Sequence, residues 1–179
     1  MQQFTGNDMD IRDADEGDIP AITGIYNHAV RHTTATWNET EVDAANRAAW
    51  LHDRRRAGYP VLVAVSPERG VMGYASFGDW RAWDGYRHTV EHSVYIRADC
   101  HGQGLGAAMM TALIRRARDS GKHVMVAAIE SGNARSIRLH EKLGFVHCGR
   151  MNEVGTKFGK WLDLTFMQLR LDDRSQPDP

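Results

Sequence analysis

The stretch Ser93-Val94-Tyr95-Ile96-Arg97-Ala98-Asp99-Cys100-His101-Gly102-Gln103-Gly104-Leu105-Gly106-Ala107 runs from an apolar strand through alternating glycines into helix-forming sequence. Glycines let a backbone approach an anion closely, and the first N–H groups of a helix have no intrahelical partner, so this segment reads as a phosphate cradle. A Walker-type loop would need a Gly-Lys-Ser/Thr ending, which is missing. The spacing Gly102-x-Gly104-x-x-Ala107 satisfies the glycine rule of a dinucleotide fingerprint, with Glu130 after the next apolar strand as a ribose-binding acid. Against that reading, Arg97 to His101 separates the strand from the first glycine where a dinucleotide turn is tight, and the chain upstream is irregular and strand-rich.

Upstream, Asp10 to Ala14 reads as a short strand, and Asp18 caps a helix with Pro20 in its first turn. Ile19, Ile22, Tyr26, Ala29 and Val30 recur at helical spacing and define its buried face. His28 and His32 sit four apart on this helix with no third ligand in view, so they read as a solvated or hydrogen-bonded pair and no metal site is assigned. Thr33 to Trp37 is an irregular connection. Asp43 caps a second helix running to Gly58, and Arg54-Arg55-Arg56 sets cations against its negative end. Pro60 to Val65 and Val71 to Gly78 form an antiparallel pair across Ser66-Pro67-Glu68-Arg69-Gly70. A loop dense in aromatics and arginines follows, Asp79 to His88. In the strand Thr89 to Ile96, period two puts Val90, His92, Val94 and Ile96 on one face and Glu91, Ser93 and Tyr95 on the other.

Downstream, Gly106, Met110, Leu113, Ile114 and Ala117 mark a helix that Gly121 ends. Val124 to Ile129, apolar on both faces, reads as a central parallel strand. Ser131 to Phe145 is a capped helix with a glycine stop, in which Ser136 and His140 share a face. Phe145 to Met151 and Trp161 to Leu171 close the sheet, with Glu153 to Gly159 between them. The expected organisation is one domain over residues 10–171 with flexible tails at 1–9 and 172–179. With Lys+Arg 22 against Asp+Glu 23 and 42% hydrophobic residues, the composition is that of a soluble globule without a nucleic-acid surface. No run is long enough to span a bilayer, and the first nine residues lack the regions of a signal peptide, so a cytoplasmic, membrane-free protein is expected. Cys100 and Cys148 read as free thiols.

The glycine segment resembles the acyl-CoA loop of the GNAT N-acetyltransferases, Gln/Arg-x-x-Gly-x-Gly/Ala, with His101, Gly104 and Gly106 in the first, fourth and sixth positions. The register Asn133, Ser136, His140, Gly144, Phe145 is similar to that family's second motif. Five further segments, Ile25–Val30, Tyr74–Arg81, Thr89–Tyr95, Lys157–Trp161 and Leu164–Leu169, resemble the phosphinothricin and methionine sulfoximine N-acetyltransferases. The resemblance implies an α/β fold with a mixed, mostly antiparallel sheet, flanked by helices and splayed between two parallel strands where acetyl-CoA enters.

The same resemblance implies site residues. Pantetheine amides would pair with Val94, Tyr95 and Ile96. The pyrophosphate would rest on His101, Gly102, Gln103, Gly104, Leu105, Gly106 and Ala107, and Asn133 and Ser136 would hold the pantetheine arm. Acyl transfer to an amine needs a base, for which Glu91 is the candidate against a carboxylate that only pairs with an arginine. His140, where relatives carry Tyr, would protonate the departing thiolate; a core histidine satisfied by a backbone partner is the competing reading. His92 is read as structural. The acceptor would be a small amino-acid analogue, with Arg81 and Arg87 forking onto its charged group, Trp83 and Tyr86 walling the pocket, and Lys157 and Phe158 reaching over from the second chain of a homodimer. A protein N-terminal acetyltransferase and a non-catalytic CoA-binding module are the alternatives.

Overall fold

The computed structural model describes residues 9–177; most of the expected N-terminal tail and the last two residues lie outside the described residues. The strands are β1 (Asp10–Asp13), β2 (Val61–Ser66), β3 (Gly70–Asp79), β4 (Thr89–Ile96), β5 (Val124–Glu130), β6 (Val146–Lys157) and β7 (Lys160–Arg170). The helices are α1 (Ile19–His32), α2 (Ala44–Arg56), α3 (Leu105–Asp119) and α4 (Ala134–Lys142). The strands form a seven-stranded mixed sheet in the order β1-β2-β3-β4-β5-β7-β6. The chain divides into two compact units, one of residues up to Ser76 with Val94–Leu113, the other of Phe77–Ser93 with the residues from Ile114 onward.

In the first unit, β1, β2 and β3 pair antiparallel, and the periodic face of α1 supplies the core as expected: Ile22 and Val30 are buried with Val61, Val63 and Tyr74. Each such side chain contributes about 1.5–3 kcal/mol by leaving water. Asp18 stands at the N-cap position of α1 but does not cap it with its side chain. Its carboxylate takes a bidentate pair from Arg12, at 2.7 and 2.9 Å, and the Asp15 N–H at 2.8 Å. Burial opposes its ionisation, yet those donors hold its pKa below the ordinary carboxylate value. Asp43 does cap α2, accepting from the Asn46 N–H at 2.8 Å.

In the second unit, β4 pairs parallel with β5 over Thr89↔Val124, Val90↔Met125 and Glu91↔Val126. On its other edge β5 is antiparallel to β7 along its whole length, so the sheet is mixed around one parallel pair, as expected. The last hairpin differs from expectation. β6 continues to Lys157 by passing a bulge between Met151 and Gly155, where Glu153 takes φ 53° and donates its N–H to Asp163. Only Phe158 and Gly159 remain as the turn, both at positive φ (54° and 70°), as a primed two-residue hairpin requires. The segment after β7 is not a loose tail at its start: Asp172 meets His123 at 2.7 Å and Arg174 donates to the Gly121 carbonyl.

Gly73 marks the tightest point of the first unit. A Cβ there would lie 2.8 Å from Ile96 Cδ1 and 2.9 Å from the Tyr95 carbonyl, which backbone cannot yield. Gly73→Ala should therefore cost about 1–3 kcal/mol in urea denaturation. Gly149→Ala, whose Cβ would enter open space, should stay within about 0.5 kcal/mol.

Candidate active site

The first unit builds the cradle. β4 ends at Ile96, one 3-10 turn follows (Ala98–Cys100), and Gly102 and Gly104, both at φ 82°, swing the backbone into the first turn of α3. That φ is open to glycine and strained for other residues. A Cβ at either position would meet nothing within 4 Å, so the glycines serve the conformation and leave the space above the loop open. An oxygen-rich anion fits there on geometric grounds, facing the helix N-terminus. Ala107 contributes less than expected, because its N–H already bonds the Gly104 carbonyl at 3.1 Å.

Side chains lock this loop. His101 donates from Nε2 to the Ile96 carbonyl at 2.9 Å, so the residue that departs from the family pattern closes the loop onto the strand it left. Gln103 donates to the Asp99 carbonyl and accepts from Arg69. Asp99 takes Arg97 at 2.7 Å and Arg69 at 2.9 Å, and this pairing, Arg97 foremost, holds its carboxyl far below the usual range. Arg97 also donates to the Arg69 and Val71 carbonyls. Nothing in the local sequence signalled this brace, since its members come from the β2–β3 turn and from the segment after β4. Beside it, the Tyr95 ring stacks on Tyr74 at 5.1 Å and meets Tyr26 edge-on at 5.9 Å.

The second unit carries the ionisable groups. Glu91 lies on β4 three residues before Val94, about 10 Å along the strand. Burial raises its pKa above the ordinary carboxylate value, and the charge of Arg81 works in the opposite direction. Arg81 lies over the Trp80 ring at 4.7 Å, and Trp80 meets Tyr86 edge-on at 5.3 Å. Trp83 is 70% exposed and Tyr86 39%. Arg87 donates to the Asp84 carbonyl at 3.4 Å, within its own turn. Lys157 is corrected. It is buried at 1% exposure while Phe158 beside it is 52% exposed, so only Phe158 is presented outward.

Asn133 caps α4, its Oδ1 accepting the Ser136 N–H at 3.1 Å, which leaves its amide hydrogens for other work. Gly144, at φ 89°, ends the helix, and the Phe145 N–H closes back on the His140 carbonyl at 3.0 Å. His140 is buried, with Nδ1 2.7 Å from the Ser136 carbonyl and Nε2 3.0 Å from Nε2 of His92. Burial lowers the pKa of both imidazoles, that of His92 to about 3. The sequence reading placed His140 on the right face but missed His92 as its partner. Among the described residues no cluster of three metal-ligating side chains occurs, and no helix is long and apolar enough to cross a membrane.

Residues 22–145 match the model of the acetyltransferase (GNAT) family. The chain is 62% identical over 168 residues to an L-methionine sulfoximine/L-methionine sulfone acetyltransferase of Pseudomonas aeruginosa, covering 93% of this chain and 98% of that one. It is 38% identical to a phosphinothricin N-acetyltransferase of Alcaligenes faecalis, covering 94% and 86%. Among solved structures, an acetyltransferase of Salmonella typhimurium with its cofactor acetyl-CoA is similar at TM-score 0.93 and 59% identity, over 96% of this chain and 99% of that one. A ribosomal-protein-alanine N-acetyltransferase of Brucella melitensis is similar at TM-score 0.87 and 51% identity, over 89% and 98%. A glycine cradle after β4, a capped α4 and this family match lead to one assignment: the chain belongs to the GNAT family of acetyltransferases.

Proposed function

We propose that the protein transfers an acetyl group from acetyl-CoA to the α-amino group of small amino-acid analogues with oxidised side chains: L-methionine sulfoximine, L-methionine sulfone or L-phosphinothricin. The observation that carries this reading is the desolvated Glu91 carboxylate in the field of Arg81, on the strand that ends in the cradle. Likeness to the Pseudomonas sulfoximine/sulfone enzyme supports the acceptor class. We further propose a cytoplasmic homodimer with a detoxifying role; exposed Val154, Phe158 and Trp161 on the last hairpin supply an apolar surface for the second subunit.

Acetyl-CoA supplies the activated thioester. The backbone of Val94, Tyr95 and Ile96 binds its arm, the N–H groups of Gly102 to Gly106 take its pyrophosphate, and Asn133 and Ser136 serve the pantetheine. The Ile96 carbonyl, already accepting from His101, has its second lone pair to offer. Glu91, with a raised affinity for protons, takes the proton that the attacking amine must lose. Arg81 orients the acceptor's charged group as a cation already stacked on Trp80. Trp83 and Tyr86 wall that group, and Arg87 stiffens their turn.

Protein N-terminal acetylation is the second reading, favoured by the likeness to the Brucella enzyme. Thiol release over a panel of amino acids and short peptides separates the two. Methionine sulfone or sulfoximine should exceed methionine in kcat/KM by about tenfold or more, because methionine leaves the site's donors unpaired. Higher specificity constants for peptides beginning with Ala or Met would transfer the assignment to the second reading.

The pH dependence tests Glu91. A base works deprotonated, so kcat should fall as pH drops through the raised pKa of Glu91, above the ordinary glutamate value. Arg81→Ala removes the cation that favours the carboxylate and should move this acid limb to higher pH. Glu91→Gln should abolish the limb and lower kcat by about a hundredfold. A limb unchanged in Glu91→Gln would make Glu91 a structural carboxylate.

A further inference from the structure

Two imidazoles face one another in the second unit, and counting their protons decides what they can do. A carbonyl oxygen only accepts, so the 2.7 Å contact to Ser136 places the proton of neutral His140 on Nδ1. Nε2 of His140 then holds a lone pair, and the 3.0 Å contact is a hydrogen bond donated by Nε2–H of His92. The two ring planes are nearly parallel, 12° apart with centroids 5.0 Å from one another, and the Nε2 atoms meet at 3.0 Å. Nδ1 of His92 is left bare, and among the described residues this buried atom has no partner.

The surroundings favour this neutral state. Phe145 meets both rings edge-on, at 5.9 Å from His92 and 4.9 Å from His140. The titratable neighbour bearing on His92 is His140 itself, and the polar group bearing on His140 is the Ser136 carbonyl. Glu91, adjacent to His92 in sequence, points from the opposite face of β4 by strand alternation. A second proton on the pair would either set Nε2–H against Nε2–H or put a proton on Nδ1 of His92 with no acceptor, and each is costly in a buried site.

We propose that His92 is a positioning residue: its Nε2–H fixes His140 as an acceptor and forms a one-proton bridge that ties β4, next to Glu91, to α4, which carries Asn133 and Ser136. His140 is then no proton donor, since its one N–H is given to Ser136. The proton that the departing sulfur requires is balanced by the one the amine nitrogen loses, and it passes through Glu91 or water rather than through the imidazoles. The kinetic consequence rests on the acetyl-transfer reading above; the tautomer does not.

The full chain labelled with 15N-histidine tests both separately. Long-range 1H–15N spectra from pH 5 to 8 should show His140 in the Nδ1–H tautomer, with neither His140 nor His92 titrating. His92→Leu should release Nε2 of His140, bring its titration into that range and lower kcat at pH 6 by about tenfold relative to pH 8, with little change in KM for acetyl-CoA. His92→Gln, whose side-chain amide can donate to the same lone pair, should restore the wild-type spectrum and profile. A wild-type His140 that carries its proton on Nε2, or titrates near the ordinary histidine value, overturns the proposal without any variant having to fold. So does a folded His92→Leu protein with unchanged His140 signals and pH profile. Failure of acetyl transfer with an Nδ1–H tautomer intact would instead count against the functional reading.

Discussion

The parallel pairing of β4 with β5 is the constraint on which the site depends. Antiparallel neighbours can be joined by a tight hairpin, as β2–β3 and β6–β7 are, but parallel neighbours require the chain to leave, cross over and return. The crossover is α3, so a helix N-terminus follows β4 in the chain, after one 3-10 turn and the glycine loop. Gly102 and Gly104 adopt the positive φ that makes this turn, and the Arg69–Asp99–Arg97 cluster with His101 holds it in shape. A helix N-terminus that opens on free space, the geometry an anion prefers, follows from the topology.

Strand alternation then divides the labour along β4. One face sends out Glu91, which burial makes a better base, and farther on Tyr95, which packs among Tyr26 and Tyr74. The other face sends out His92 toward His140 and Phe145. Burial acts on the carboxylate and on the imidazoles alike, always against charge, yet with opposite chemical effect. It strengthens Glu91 as a proton acceptor and weakens both histidines as sites for a proton.

Local rules made much of this legible. Glycine spacing located the cradle, apolar periodicity located α1 and its buried face, and Asn133 with Gly144 bounded α4. Where the outcome turned on contacts between distant residues, the sequence was silent. Asp18 looked like a cap and became the buried partner of Arg12. Glu153 to Lys157 read as a connection because a bulge at Glu153 breaks the alternation that would have marked a strand. Lys157 was expected to reach for a ligand and is buried. His92 had no local signal, because its partner lies 48 residues away.

The most direct test of the account is calorimetric titration of acetyl-CoA into the wild-type protein and into Gly104→Asp. The substitution sets a side chain and a negative charge into the open space of the cradle, at a backbone conformation of φ 82°. In a variant whose circular dichroism matches wild type, the account predicts that acetyl-CoA affinity falls by about a hundredfold or more, through like-charge repulsion and loss of the N–H contacts. Affinity within twofold of wild type in that folded variant would contradict it.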